Sequence, residues 1–237
     1  MYTDIHTHIL HSTDDGPVSK DEMLEMLELA YNDGVRILCA TPHFSYSFYG
    51  DNSSHADAAF SELTEAAKSR FPDMKIVRGN EIFYHDSCVE HLSSGACRTL
   101  NGTKYILVDF SSGEESYVIV NAMKKLIGIG YKPILAHPER YLCFKYKAEK
   151  IKPLKDFGVL IQINAQSVLG MNGKKPQKMC KKLIKLGLCD IVASDSHNIY
   201  SRKCCMQKAA EYLKKKFGSD VAAALTDTVP RRILDIQ

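Results

Sequence analysis

The sequence predicts an α/β fold in which seven β/α units close a parallel sheet into a distorted barrel, with an open doubly wound sheet as the second possibility. Three observations carry this reading. Strand-sized apolar runs alternate with stretches of helical periodicity along the chain. The runs are apolar on both faces, as strands covered by helices must be. Seven such runs fall within 237 residues, about enough units for a ring. A hydrophobic content of 45% supports one sizeable core, and no Pro/Gly/Ser-rich linker, low-complexity tract or repeat divides the chain. Residues 1–237 are therefore read as a single domain.

The first strand is expected near residues 2–5, and "DIHTHI" (4–9) extends it with an acid and two histidines where a buried strand wants Val or Ile. Ser19-Lys20-Asp21-Glu22 is a capping box that starts the first helix. Met23, Met26, Leu27, Ala30 and Tyr31 form its apolar face, and Gly34 stops it. Further strands are expected near 36–41 ("RILCAT"), 75–80 ("KIVRGN"), 104–110 ("KYILVDF"), 133–136 ("PILA"), 159–163 ("VLIQI") and 189–194 ("CDIVAS"), with helices between most of them. "KKPQKMCKKLIK" (174–185) reads as a helix with a solvated basic face, and Met179, Leu183, Ile184 and Leu186 are expected to turn inward.

Composition excludes several classes. The apolar runs are far shorter than the roughly 20 residues of a membrane helix, so no membrane insertion is expected. The N-terminus has no basic region followed by an apolar one, which points to a cytoplasmic protein with reduced cysteines. Its eight cysteines form no C-x-x-C pair, against a zinc ribbon or thioredoxin-type site. Charge is uneven: residues 1–120 hold 8 Lys+Arg against 19 Asp+Glu, and residues 121–237 hold 23 against 9. The basic half is either a set of solvated helix faces or a surface that attracts acidic or phosphorylated partners.

The unusual polar residues sit at the strand ends. His6 and His8 end the first strand, His43 follows the second in "TPHF" and Glu81 follows the third in "GNEIF". Asp109 closes the fourth, His137 the fifth in "LAHPER", and Asp195 with His197 the seventh in "SDSHN". The carboxyl ends of parallel barrel strands share one mouth, so these residues should meet in space. Imidazole and carboxylate suit Zn, Mn or Fe without a thiolate. His55, His85 and His91 have no such placement and are expected outside the cluster.

"DIHTHIL", "DDGP", "TPH", "GNEIF", "AHPER" and "SDSHN", in this order, resemble the polymerase and histidinol phosphatase (PHP) superfamily, and within it the CpsB/CapC-type bacterial protein-tyrosine phosphatases. The similarity runs over essentially the whole chain, through "QINAQSVLG" to a closing "VPRRIL". The resemblance implies the PHP fold, a distorted seven-unit barrel holding three divalent metal ions, often Mn, with Fe, Zn or Mg as alternatives. It implies a first metal on His6, His8, Glu81 and Asp195. Glu81, Asp109 and His137 would hold the second, and Asp15, His43 and His197 the third. The family usually has Glu where this sequence has Asp109, so that carboxylate should stop about 1.5 Å short. Asp14 competes with Asp15, which directly precedes "GP".

Phosphomonoester hydrolysis needs an activated water, neutralised phosphoryl oxygens and help for the leaving oxygen, and closely spaced metals supply the first two. Arg140 in "HPER" and Arg202 after "SDSHN" are expected to clamp the phosphate, as the family's arginines do, with Asp195 and His43 completing the catalytic set. Arg140 could instead pair with Glu139 or another acid to brace the loop. A cysteine-phosphatase mechanism is excluded, because no Cys is followed by Arg six positions later. The loop "HFSYSFYGDNSS" (43–54) places Phe44, Tyr46, Phe48 and Tyr49 at the mouth, where Phe44 and Tyr46 are expected to bind a phosphotyrosine ring. By resemblance the substrate is the tyrosine-rich tail of a bacterial tyrosine kinase controlling capsule or exopolysaccharide export. The alternatives are a small-molecule phosphatase of the histidinol-phosphate type, a nucleic-acid phosphodiesterase, or an inactive PHP scaffold that binds a partner. The absence of an attached polymerase argues against a nucleic-acid substrate. The sequence sets no oligomeric state.

Overall fold

The computed structural model describes residues 1–144 and 147–237. Its strands are β1 (Tyr2–Thr7), β2 (Val35–Ala40), β3 (His43–Phe44), β4 (Lys75–Arg78), β5 (Glu81–Phe83), β6 (Tyr105–Asp109), β7 (Lys132–Leu135), β8 (Leu160–Asn164) and β9 (Ile191–Ala193). The helices are α1 (Lys20–Asn32), α2 (Tyr46–Tyr49), α3 (Ser53–Arg70), α4 (Cys88–Ser94), α5 (Ser116–Gly128), α6 (Lys152–Asp156), α7 (Ala165–Leu169), α8 (Lys174–Lys185), α9 (Met206–Phe217), α10 (Ser219–Ala223) and α11 (Val229–Ile233).

Among the described residues all strand pairs are parallel, in the orders β1-β2-β4 and β3-β5-β6-β7-β8-β9. These orders describe one curled sheet, because β3 continues β2 after Thr41-Pro42 and β5 continues β4 after Gly79-Asn80. The breaks have local causes. Pro42 has no N–H to extend the ladder, and its carbonyl accepts instead from Glu81 N (3.1 Å) and Asn80 Nδ2 (3.1 Å). A Cβ at Gly79 would lie 2.6 Å from the Leu100 side chain, so only glycine fits this crossing. The ring is joined between β9 and β1 by a bridge from Thr7 to Ser196 and by bonds from Asp195 N to the His6 carbonyl and from His8 N to the Ser196 carbonyl, both 2.9 Å. With the two broken strands counted once each, seven strands circle the barrel among the described residues, near the seven runs expected from sequence.

Alternate residues serve two cores. Ile37 and Cys39, Leu107, Ile134 and Ala136, and Ile191 and Ala193 pack together inside the barrel, over a floor of Leu100, Ile233 and Leu234. Their neighbours Leu38 and Ala40, Ile106 and Val108, Leu135 and Val192 face the helices. On α1 the Ser19 hydroxyl accepts from Glu22 N (3.2 Å), while the Glu22 carboxylate reaches past Ser19 to accept from Val18 N (3.1 Å). Met23, Met26, Leu27 and Ala30 are buried as expected. On α8 the buried residues are Met179, Cys180 and Leu183. Leu186, expected inside, is half exposed because it lies past the helix end. Among the described residues no helix is long and apolar enough to cross a membrane.

Candidate metal centre

The period of two that fills the barrel also aims the donors. Inward positions continue from Cys39 through Thr41 to His43, from Val77 through Gly79 to Glu81, from Leu107 to Asp109, and from Ala193 to Asp195 and His197. Two strands need a local device. Asp4 pairs with Leu38 and Thr7 with Ala40, so β1 takes three steps where β2 takes two. This extra residue lets Ile5 pack inside the barrel while His6 still turns to Gln162 at the mouth. On β7, Ile134 and Ala136 point inward, which would send His137 outward. Its backbone instead adopts φ 30° and ψ 55°, a left-handed conformation that costs about 1–3 kcal/mol in a non-glycine residue, and the ring returns to the mouth. Asp195 is left-handed as well, at φ 53°.

The nine expected ligands converge. Three overlapping groups have donor atoms within 4.8 Å of one another: His8, Asp15, His43 and His197; His6, His8 and Glu81; and His43, Glu81 and Asp109. Asp195 adjoins the second group, with Oδ1 3.5 Å from His6 Nε2 and 3.6 Å from His8 Nε2. His137 adjoins the third, its Nε2 2.9 Å from Glu81 Oε1 and its Nδ1 3.8 Å from Asp109 Oδ1. His8 and His43 each lie between two groups, where the sequence assigned them one ion apiece. Asp109 is near enough to share a group with Glu81 and His43, and its Oδ1 accepts from the Tyr141 hydroxyl (2.7 Å).

Asp14 and Asp15 have different tasks. Asp14 Oδ2 accepts from His8 Nδ1 (2.7 Å) and His43 N (2.8 Å), while its Oδ1 accepts from Gly16 N (2.9 Å). It therefore fixes the His8 ring from behind. Asp15 Oδ1 faces His197 Nε2 (3.3 Å) and His43 Nε2 (3.6 Å). Sequence reasoning did not single out Gln162 and Asn164. Gln162 Oε1 accepts from His6 Nδ1 (3.0 Å), and Asn164 Nδ2 donates to Asp195 Oδ2 (2.6 Å). Their only signal was two amides on inward positions of a barrel strand, within the quoted "QINAQS".

Electrostatics favour cations at this mouth. With both Nδ1 atoms donating outward, His6 and His8 aim bare Nε2 atoms at each other 3.1 Å apart and at Glu81 Oε2. Glu81 Oε2, His137 Nδ1 and His197 Nε2 are buried without a hydrogen-bond partner, each a loss of about 1–3 kcal/mol if nothing fills the gap. Burial alone would raise the Glu81 carboxyl, but His6, His43 and His137 hold it well below its usual range. Burial, joined by the nearby His8, pushes His197 down to about 4. His8 moves the other way, raised against its burial by Asp14 and Glu81. The two rings are stacked 3.7 Å apart, so they compete for one proton where a divalent ion would serve both. The all-nitrogen-and-oxygen donor set fits Mn, Fe or Zn.

Two arginines flank the cluster. Arg202 donates from Nη2 to both Asp195 oxygens (3.1 Å each) and from Nη1 to Asp15 Oδ2 (3.4 Å). Arg140 Nη1 reaches Asp195 Oδ2 (3.4 Å) rather than Glu139, whose Oε1 accepts from Asn164 N (2.9 Å). The aromatic loop divides. Phe44, expected at the rim, is 7% exposed and sits edge-on to Tyr46 and His91, so it anchors the loop. Tyr46 and Phe48 are exposed, and Tyr49 lies over His43 at 5.5 Å and 10°. His91 packs in this loop, while His55 and His85 are exposed, away from the donors.

A parallel barrel with overlapping imidazole and carboxylate groups at its carboxyl mouth defines a class, that of barrel proteins with a candidate multinuclear metal centre. The phosphotriesterase homology protein of Escherichia coli shares this fold, with a TM-score of 0.62 at 13% identity over 98% of this chain and 97% of that one. The chain belongs to the CpsB/CapC family of capsular polysaccharide synthesis, whose family model matches residues 2–235. It is 32% identical over 236 residues to the tyrosine-protein phosphatase CpsB of Streptococcus pneumoniae, covering 98% of this chain and 97% of that one. It is 30% identical over 224 residues to the tyrosine-protein phosphatase YwqE of Bacillus subtilis, covering 94% and 88%. A crystal structure from work on YwqE and S. pneumoniae CpsB, described as unique metal-dependent tyrosine phosphatases, matches with a TM-score of 0.90 at 30% identity, over 99% of this chain and 95% of that one.

Proposed function

We propose that this chain is a metal-dependent protein-tyrosine phosphatase, a single catalytic domain that hydrolyses phosphotyrosine in the tail of a bacterial tyrosine kinase governing capsule or exopolysaccharide synthesis. Three divalent ions, Mn foremost, are its cofactors, and the cytoplasm is its compartment. The observation that supports the reading is the convergence of seven donors in three overlapping groups, with Asp195 and His137 adjoining them, beside two arginines. When bound, divalent ions lower the pKa of a water and neutralise phosphoryl oxygens. His6, His8, Glu81 and Asp195 would hold one, Glu81, Asp109 and His137 another, and Asp15, His43 and His197 the third.

The remaining tasks belong to the chain. Arg140 and Arg202 keep side chains 48% and 33% exposed above Asp195, so each has N–H groups left for the outer phosphoryl oxygens. Gln162, Asn164 and Asp14 lock the donors' orientation, which limits reorganisation during the reaction. Tyr46, Phe48 and Tyr49 offer ring surfaces on the His43 side, where the phenyl group of the substrate can lie. The test is parallel turnover of a phosphotyrosine peptide, histidinol phosphate and a phosphodiester. The peptide should be hydrolysed fastest, chelation should abolish the activity, and Mn should restore it with more than one ion per chain by elemental analysis. Full activity in protein free of metal, or a clear preference for histidinol phosphate, overturns the reading.

A further inference from the structure

On the side of the cluster away from the aromatic loop, a pocket of about 440 Å³ opens between the loops that follow β6, β7, β8 and β9. Its wall includes Ser112, Arg140, Gln166, Asn172 and Arg202, and Pro176 is its apolar residue. Among the described residues no aromatic side chain lines it, so it is a poorer seat for the phosphotyrosine ring than the aromatic surfaces across the mouth. Its acids are Asp195, a candidate metal ligand, and Glu139, which is 1% exposed beneath Asn164. Glu139 Oε2 is buried, so neither of its oxygens is presented to a ligand. The accessible wall, with Arg140, Arg202, Gln166, Asn172 and Ser112, is therefore rich in donors, which suits an anionic group.

The helix beside the pocket reinforces the sign. α8 is preceded at its N-cap position by Gly173, which has no side chain to cap it, and its first turn holds Lys174 and Lys175 with no acid. This order opposes the helix dipole, and it places positive charge next to a pocket that already contains two guanidinium groups. We propose, building on the phosphatase reading, that this pocket is a substrate subsite for an anionic group near the phosphotyrosine, a carboxylate or a second phosphoryl group, so that substrates rich in acidic or phosphorylated neighbours are selected.

The experiment uses three phosphotyrosine peptides that differ in the flanking residues: Ala, Asp, or a second phosphotyrosine. The parent protein should favour the anionic peptides by roughly fivefold in kcat/KM, the scale of one exposed charge pair. Asn172→Asp and Ser112→Asp each add a carboxylate at an exposed position of the wall, so either should abolish that preference while leaving the Ala-flanked peptide and p-nitrophenyl phosphate unchanged. The Asp and second-phosphotyrosine arms show which anion is preferred. Equal rates on all three peptides in the parent protein, or an undiminished preference in both variants, sinks the subsite and leaves the phosphatase intact. Should no phosphotyrosine peptide be turned over, the function falls instead. Binding of the same peptides carrying a phosphonate in place of the phosphate then decides the subsite, since the preference should still appear and still vanish in both variants.

Discussion

Two adjacent aspartates show how much one position changes a role. Asp14 touches the far nitrogen of His8, and Asp15 faces the rings of His43 and His197. Asp14→Asn should therefore weaken metal binding about 10- to 100-fold, as loss of an outer orienting group does, with full occupancy restored at high Mn. Asp15→Asn should lose about one ion per chain at any practical concentration. Metal titration with elemental analysis separates the two, and identical behaviour would refute the division of labour. Arg202 divides clamp from ligand in the same way. Arg202→Lys keeps the charge but loses the fork that holds Asp195 through Nη2 and Asp15 through Nη1. It should raise KM or lower kcat by about tenfold with metal content unchanged. His197→Ala should lower activity and metal content together. An Arg202→Lys protein with parental kinetics would make this arginine a brace for Asp195.

At the scale of elements, a helix is capped from across the molecule. The N-cap position of α9 is Cys205, with no side-chain capping bond, and Asp33 at the end of α1 supplies the acceptor, its Oδ2 taking Gln207 N at 2.9 Å. Asp33→Ala should destabilise the protein by about 0.5–2 kcal/mol, the usual cost of a lost cap. Urea unfolding measures this, and metal content should not move, because Asp33 belongs to none of the donor groups. An unchanged unfolding midpoint would mean that solvent caps the helix equally well. The strands carry a second lesson. The seven runs were legible because apolar alternation is local, and the first helix because its cap is written in four consecutive residues. The splits at Pro42 and Gly79 were not, since each depends on what the neighbouring strand or Leu100 presents.

Glu81 Oε2, His137 Nδ1 and His197 Nε2 are buried without partners at the mouth, so the stability of the whole molecule should depend on what binds there. Ions bound to the folded chain alone, at a hundredfold excess over Kd, stabilise by about 2.7 kcal/mol per site, or about 5–10 °C in Tm for a chain of this size. Chelation should lower Tm by at least that amount and readdition of Mn should restore it, as thermal unfolding followed by circular dichroism will show. A Tm indifferent to chelator would argue that the donors satisfy one another without a cation.

The sequence by itself determined the parallel α/β architecture, the family, and the residue types at each strand end, because all of these rest on periodicity and on short motifs that neighbours along the chain define. Most of the donors were legible for the same reason: His43, Glu81, Asp109, Asp195 and His197 continue the inward alternation of their strands. Only the tertiary structure decided the rest. It added one residue to β1 relative to β2 so that Ile5 and His6 both serve the barrel interior, and it turned His137 back through a left-handed backbone. It assigned Asp14 to hold a ring, recruited Gln162 and Asn164 behind the donors, and buried Phe44 beneath the loop it was expected to top. Register, aim and burial are set by contacts between segments distant in sequence, such as the 156 residues that separate His6 from Gln162, and no local pattern records which partner a side chain will meet.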